Sequence, residues 1–384
     1  MSDPGRKPLP YARQSIDDDD VEAVAETLRS EFLTTGPKVD AFERALEHVT
    51  GAPHAVVLNS GTSALHAAYA AAGVGPGDEI VTTPLTFAAT ATAAVYLGAR
   101  PVFVDIEPDT GLMDSTQVEA AITERTKAIV AIDYAGQPAD YDALRPIATR
   151  HGLALIADAA HSLGASDGGR LVGTLADQTV LSFHPVKVIT AAEGGAVLAS
   201  DDAVRQRVRD FRSHGIVRDS NRLRQSDGPW YYEVQSLGYN YRLSDLHAAL
   251  GLSQLRKLDR FLARRRAIAR EYSTSLAELP TIDLPDTRPG VDHAWHLYVI
   301  RARGGRAARS ELYKQLRAGG LGVQVHYVPV HHHPLYRDMG YVVGQFPKAE
   351  AFYDSALSIP MYPGLTDADV ARVIEDVRAT AERL

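Results

Sequence analysis

The chain has 384 residues, 45% hydrophobic and 23% charged, enough for one large domain plus a smaller one. Its formal charge of −8, with no dense basic run interleaved with aromatics, argues against a nucleic-acid partner, and the lack of cysteine excludes disulfides, thiolate metal sites and cysteine nucleophiles. No window approaches 18 consecutive apolar residues and the first fifteen residues carry no apolar signal core, so neither a membrane span nor secretion is expected and the reading is cytoplasmic.

From residue 54 onward, short β-branched runs alternate with alanine-rich helical patterns, as in βαβ units around a parallel sheet buried on both faces. Candidate strands cover 54–59, 79–84, 100–106, 127–134, 153–160, 179–184 and 194–200, with helices expected over 62–73, 86–98 and 115–123. Only a short turn separates the last two strands, which predicts an antiparallel hairpin on a mainly parallel sheet. A long amphipathic helix is expected over 243–276, with a second domain beginning inside it, and its basic run LARRRAIAR (262–270) reads as a solvated helix face. A strand at 295–302, a helix at 309–320, a strand at 323–329 and a closing helix at 367–384 then predict a small α+β domain. The expected division is an N-terminal arm and helix over 1–30, a large domain over 31–250 and a small domain over 251–384.

Three strand ends carry chemistry. VVLNSGTSAL (56–65) ends a strand in Asn-Ser-Gly-Thr-Ser and opens directly into a helix. In open parallel sheets ligands bind at the carboxyl ends of strands, and a helix N-terminus there offers free N–H groups to an anion. Gly61 lets the backbone approach a phosphate and Thr62 and Ser63 add hydroxyl donors, although the same residues also make an ordinary N-cap. LALIADAAHS (153–162) closes an apolar strand on Asp158, a costly place for an unpaired carboxylate, with His161 three residues on. SFHPVKVITAAEGG (182–195) sets Lys187 between Val186 and Val188, in a chain with seven lysines against 33 arginines. Such an amine is desolvated and its pKa falls toward neutrality, as a nucleophile requires. An anion cradle, a carboxylate to hold a proton on a pyridine nitrogen and an amine for an aldehyde are the parts needed to bind pyridoxal 5′-phosphate. Histidines 326 and 331–333 raise the question of a metal, but adjacent side chains on a strand point to opposite faces and none is expected.

These stretches run nearly end to end with LPYARQSID (9–17), FLTTGPKVDAFE (32–43), DEIVTTPLTFAATA, PVFVDIEPDT, GQPADYDAL and LGYNYRLSDLHAALGLSQL. Together they resemble the DegT/DnrJ/EryC1/StrS family of sugar aminotransferases. SFHPVK, DYAGQPAD (133–140), DAAHSLGA (158–165) and VQVHYVPVHHHPLYR (323–337) are most similar to the branch that makes UDP-4-amino-4,6-dideoxy-N-acetyl-β-L-altrosamine, toward pseudaminic acid. The resemblance implies a fold-type-I pyridoxal-phosphate enzyme: a three-layer α/β/α domain with a mainly parallel seven-stranded sheet, and a smaller C-terminal α+β domain.

Carried over residue by residue, the resemblance implies that Lys187 bonds the cofactor aldehyde and moves a proton to the sugar C4. Asp158 would pair with the ring nitrogen, His161 would lie near the phenolate oxygen and Phe87 would stack on the ring. Gly61, Thr62 and Ser182 would hold the phosphate, with Asn240 reaching it from the other subunit of a homodimer. Thr35, His184, Arg242 and His326 are implied as substrate contacts. L-glutamate is the implied donor and a UDP-linked 4-keto-6-deoxy sugar the implied acceptor; GDP- or dTDP-linked 4-keto-6-deoxyhexoses and UDP-linked keto-pentoses stay open, as do an amino-acid aminotransferase and a non-catalytic regulator. Sugar dehydratases of the same scaffold carry histidine where Lys187 stands.

Overall fold

In the computed structural model, which describes residues 7–384, all seven expected strands join one sheet; residues 1–6 of the expected arm lie outside the described residues. The strands are β1 (His54–Leu58), β2 (Glu79–Thr82), β3 (Arg100–Phe103), β4 (Thr126–Ile132), β5 (Ala154–Asp158), β6 (Gln178–Ser182) and β7 (Gly195–Ala199), in the order β1-β7-β6-β5-β4-β2-β3. Strands β3, β2, β4, β5 and β6 pair in parallel. The expected hairpin is present, but β7 is not an edge strand. It lies between β6 and β1 and is antiparallel to both, which leaves β1 running in the same direction as β6. The carboxyl ends of β1, β2, β4, β5 and β6 therefore open along one edge, beside the start of β7.

Strand periodicity divides the side chains between two cores. Val57, Val81, Ile129, Ala131, Leu155, Ala157 and Leu181 face one side, where they pack under Phe42 and Leu46 of helix Pro37–Thr50 and Leu144 of helix Tyr141–His151. Val56, Ile80, Ala128, Val130, Ile156 and Val180 face the other, under helix Gly61–Ala71 and helix Asp202–Arg212. Each fully buried valine or isoleucine contributes about 1.5–3 kcal/mol, so both faces need a helical cover and a three-layer α/β/α arrangement follows.

A separate core gathers Ile268 and Tyr272, the three-stranded antiparallel sheet Ile282–Asp283, Tyr298–Ala302 and Ala356–Ile359, and the helices Gly305–Ala318 and Asp367–Ala381. Leu9 of the N-terminal arm is buried in it, with backbone hydrogen bonds to Gly320 and Gly322.

Four sequence expectations are corrected. The helix expected over 243–276 is two helices, Asp245–Leu255 and Leu258–Leu276. No proline or glycine breaks it; Lys257 sits at the junction with its ammonium on Asp17 and Asp20, a tertiary anchor that local periodicity does not register. The basic run is not wholly solvated, since Arg265 is buried and its guanidinium donates to the carbonyls of Trp295, His296 and Met361. The segment 115–123 forms a 3-10 turn and one short helix, Val118–Ala121. The strand expected at 323–329 is absent: Gln324 exchanges two backbone hydrogen bonds with Ser358, then the chain leaves the sheet. Its place is taken by Ala356–Ile359, and Gln324–Tyr327 instead wall the cavity described next.

Candidate active site

A cavity of about 440 Å³ opens at the carboxyl edge of the sheet, within the size range of small-molecule sites. Gly61, Thr62, Phe87, Asp158, His161, Ser182, His184, Lys187 and His326 all line it.

The floor is made where β1 meets helix Gly61–Ala71. Ser60 caps this helix by accepting from the Ser63 N–H at 3.0 Å, while the Ser63 hydroxyl accepts from the Ser60 N–H at 3.0 Å. Ser63 is thereby used within the cap and does not line the cavity, contrary to its expected role as a ligand donor. The Thr62 and Ser182 hydroxyls make no hydrogen bond among the described residues, so both are free for a ligand beside the helix N-terminus. Two close approaches shape this floor. A β-carbon on Gly61 would lie 2.9 Å from Ser182 Cβ, and one on Gly195 would lie 2.4 Å from the Ser60 carbonyl oxygen. Gly61→Ala is therefore expected to push Ser182 out of the cradle and weaken cofactor binding at least about tenfold, readable as a rise in the dissociation constant by fluorescence titration.

Asp158 ends β5 at the cavity wall, where Thr90 Oγ1 donates to its Oδ2 at 2.6 Å and the Ala160 N–H to its Oδ1 at 3.3 Å. Burial raises its pKa, opposed by those donors and by Lys187. Lys187 follows β6 in a tight turn closed by its own N–H on the His184 carbonyl at 2.9 Å. Its ammonium makes no hydrogen bond or ion pair among the described residues, and burial lowers its pKa to about 8 against the opposing pull of Asp158. His161 shares a hydrogen bond with the Tyr327 hydroxyl through Nε2 at 3.1 Å, while its buried Nδ1 has no partner. Burial, then Lys187, push its pKa well below the ordinary histidine value, so the ring is neutral.

Phe87, at the start of helix Ala88–Tyr96, is 60% exposed, with its ring 6.0 Å from that of Tyr327 across the cavity mouth. A core role for this phenylalanine is thus excluded. His326 bonds Ser358 Oγ through Nδ1 at 2.8 Å and turns its backbone carbonyl to the Tyr134 hydroxyl. Thr35, Asn240 and Arg242 do not line the cavity of their own chain. Arg242 is bridged by its backbone to Leu58 at the end of β1, and Thr35 and Asn240 are exposed.

Several residues of the site escaped sequence reading. Thr90 supports Asp158 and in turn bonds Thr86 at 2.7 Å; two hydroxyls four residues apart, one in the turn before an alanine-rich helix and one in its first turn, were the available signal. Tyr327 and His296, whose ring centroid lies 4.3 Å from that of His161, come from distant segments and left no local signal.

The free hydroxyls beside a helix N-terminus, the orphaned Nδ1 of a buried neutral imidazole, the wall carboxylate and the unpaired amine together fit a ligand with an anion, a protonated ring nitrogen and an electrophilic carbonyl. Pyridoxal phosphate has all three, and the fold and site define a fold-type-I pyridoxal-phosphate aminotransferase. Residues 14–378 match the DegT/DnrJ/EryC1/StrS aminotransferase family, to which the chain belongs. It is 41% identical over 374 residues to the spore coat polysaccharide biosynthesis protein SpsC of Bacillus subtilis, covering 96% of each chain. Among solved structures it is similar to Helicobacter pylori PseC, an aminotransferase involved in the biosynthesis of pseudoaminic acid, with TM-score 0.93 and 34% identity over 98% of this chain and all of that one. It is likewise similar to the pyridoxal-phosphate form of the sugar aminotransferase Spr1654 of Streptococcus pneumoniae, with TM-score 0.92 and 31% identity over 98% of this chain and 99% of that one. The protein is a sugar aminotransferase.

Proposed function

We propose that the protein transfers an amino group from L-glutamate to C4 of a nucleotide-linked 4-keto-6-deoxy sugar, with UDP-4-keto-6-deoxy-N-acetyl-L-altrosamine as the acceptor. The observation that carries the reading is the unpaired, desolvated Lys187 amine in one cavity with Asp158, His161 and the Gly61 cradle. The choice of acceptor is supported by the similarity to PseC and by the stretches 158–165 and 323–337.

Pyridoxal phosphate, when bound, supplies an exchangeable carbonyl and a ring that takes up electrons from the carbon bearing nitrogen. Thr62, Ser182 and the N–H groups opening helix Gly61–Ala71 would hold its phosphate, and Phe87 would supply an apolar contact to its ring. Asp158, aimed by Thr90, would keep a proton on the ring nitrogen, and the unpartnered His161 Nδ1 would be available to the ring oxygen. Lys187 takes the proton from the donor carbon and returns one at C4 of the sugar; an amine whose pKa lies near 8 is suited to both directions at neutral pH. His326 and His184, which line the same cavity, would contact the sugar.

The reading is tested by half-reactions. Adding L-glutamate to the yellow holoenzyme should bleach its visible band and release 2-oxoglutarate, and the UDP-linked keto sugar should restore the band faster than GDP- or dTDP-linked 4-keto hexoses or a UDP-keto-pentose. Faster restoration by one of these replaces the acceptor, whereas restoration by 2-oxo acids alone overturns the sugar reading.

A homodimer that shares its active sites belongs to the same proposal, with Asn240 of one chain directed to the phosphate of the other. Exposed Trp230, Tyr232, Val234 and Leu237, close in sequence to Asn240, support a covered surface there. Mixing inactive Lys187→Ala and Asn240→Ala proteins under conditions of subunit exchange should restore activity, because one hybrid site then holds both residues. Failure of the exchanged mixture to regain turnover counts against shared sites.

A further inference from the structure

We propose that His331, His332 and Glu350 form a binding site for a divalent cation of the zinc class, set behind the cavity wall. The expectation that adjacent histidines diverge holds for a strand, but Val330–His332 is a 3-10 turn, in which neighbouring side chains are about 120° apart and can converge. His331 Nε2 lies 2.8 Å and His332 Nε2 3.6 Å from the same oxygen, Oε1 of Glu350, which stands on helix Pro347–Ser355. The three donor atoms all lie within 4.8 Å of one another. Ligand atoms around a tetrahedral zinc ion are about 3.3 Å apart, so the two measured edges bracket the required spacing.

A second observation points the same way. His332 Nε2 is buried and has no hydrogen-bond partner, and the His331 ring is wholly buried, wedged edge-on against Phe346 and His332. Two imidazoles and one carboxylate are the donor set that borderline cations select, with a fourth position left for water. Glu350 Oε1 also accepts the Gly344 N–H at 2.7 Å, which orients the carboxylate toward the pair.

The site would act on the cavity by position. Tyr327, on the cavity wall, precedes His331 by four residues, and the Val330 N–H donates to the carbonyl of Pro84 at 2.8 Å, in the turn leading to Phe87. A cation joining His331 and His332 to the helix of Glu350 clamps this segment from behind, without entering the catalytic cavity.

The test uses chelator-treated, dialysed holoenzyme titrated with Zn²⁺ by calorimetry, and with Co²⁺ to read the visible bands of a tetrahedral site. One equivalent per chain is expected, with affinity lowered at least about tenfold in His332→Ala and in Glu350→Gln, the latter keeping an acceptor for Gly344. His333→Ala, which alters an exposed neighbour outside the cluster, should bind as the unaltered protein does. Absence of stoichiometric binding, or binding that persists unchanged in His332→Ala and Glu350→Gln, overturns the proposal. The readout is metal affinity, so it stands apart from the identity of the sugar.

Discussion

Lys187→Ala is expected to fold normally, to lose turnover by about 10⁴-fold or more, and to lack the visible band of a lysine-linked cofactor. Its fold should survive because the Lys187 side chain makes no hydrogen bond or ion pair among the described residues. The same isolation explains its reactivity, since burial holds the amine pKa at about 8. Below that value the amine is protonated and cannot attack a carbonyl. Covalent capture of pyridoxal phosphate by the cofactor-free protein should thus quicken about tenfold between pH 7 and pH 9 and then level off. Turnover by Lys187→Ala without added amine would remove Lys187 from the mechanism.

Asp158→Asn should move activity and stability in opposite directions. Turnover should fall by about 10²–10⁴-fold, because a neutral amide cannot hold a proton on the ring nitrogen. In the cofactor-free protein, by contrast, the substitution should stabilise. Burial raises the Asp158 carboxyl above its unfolded value, so below about pH 3 it is protonated in both states and costs nothing. As pH rises from the unfolded value to the folded one, the unfolded state ionises first, and stability is lost until the folded value is passed. Asp133, pushed up to about 7 by burial despite donors from Ser162, Tyr141 and Ala139, adds to the same decline. The buried His66, His161, His293, His296, His326 and His331, whose pKa values burial lowers, work in the opposite sense between pH 5 and pH 8, so the carboxylate contribution is read as the difference between variant and wild type at each pH. Relative to wild type, Asp158→Asn should gain about 1–3 kcal/mol at pH 8, a gain that shrinks steadily toward pH 3, measured by urea midpoints. A variant no more stable than wild type at pH 8 would mean that the carboxylate is better compensated than its surroundings indicate.

What was legible in the sequence was whatever local pattern encodes. Seven short apolar runs became the seven strands because all but the edge strand Arg100–Phe103 are largely buried on both faces, and Gly61, Asp158, Ser182 and Lys187 converge because the ends of parallel strands must share one edge. What was not legible depends on partners remote in the chain. The junction at Lys257 is held by Asp17 and Asp20, and Arg265 is buried because carbonyls from residues 295, 296 and 361 meet it. VQVHYVP has good strand composition, yet its second half is drawn away by Tyr134 on the His326 carbonyl and by Tyr327 on His161. Ser63 and Thr62 are chemically alike and adjacent, and only the cap geometry at Ser60 separates the structural hydroxyl from the free one.

The reversed strand β7 bears on how the chain reaches this state. His54 of β1 pairs with Ala199 of β7, so β1, the earliest made of these seven strands, has no strand partner until β7 has been synthesised. At common elongation speeds that wait is on the order of ten seconds, during which the helices next to it in sequence, Pro37–Thr50 and Gly61–Ala71, can cover the side chains of β1 but not its backbone hydrogen-bonding groups. The floor under Gly61 is assembled only when β7 slides between β1 and β6, so the nascent enzyme is expected to acquire its vitamin-derived cofactor as one of its last acts of maturation.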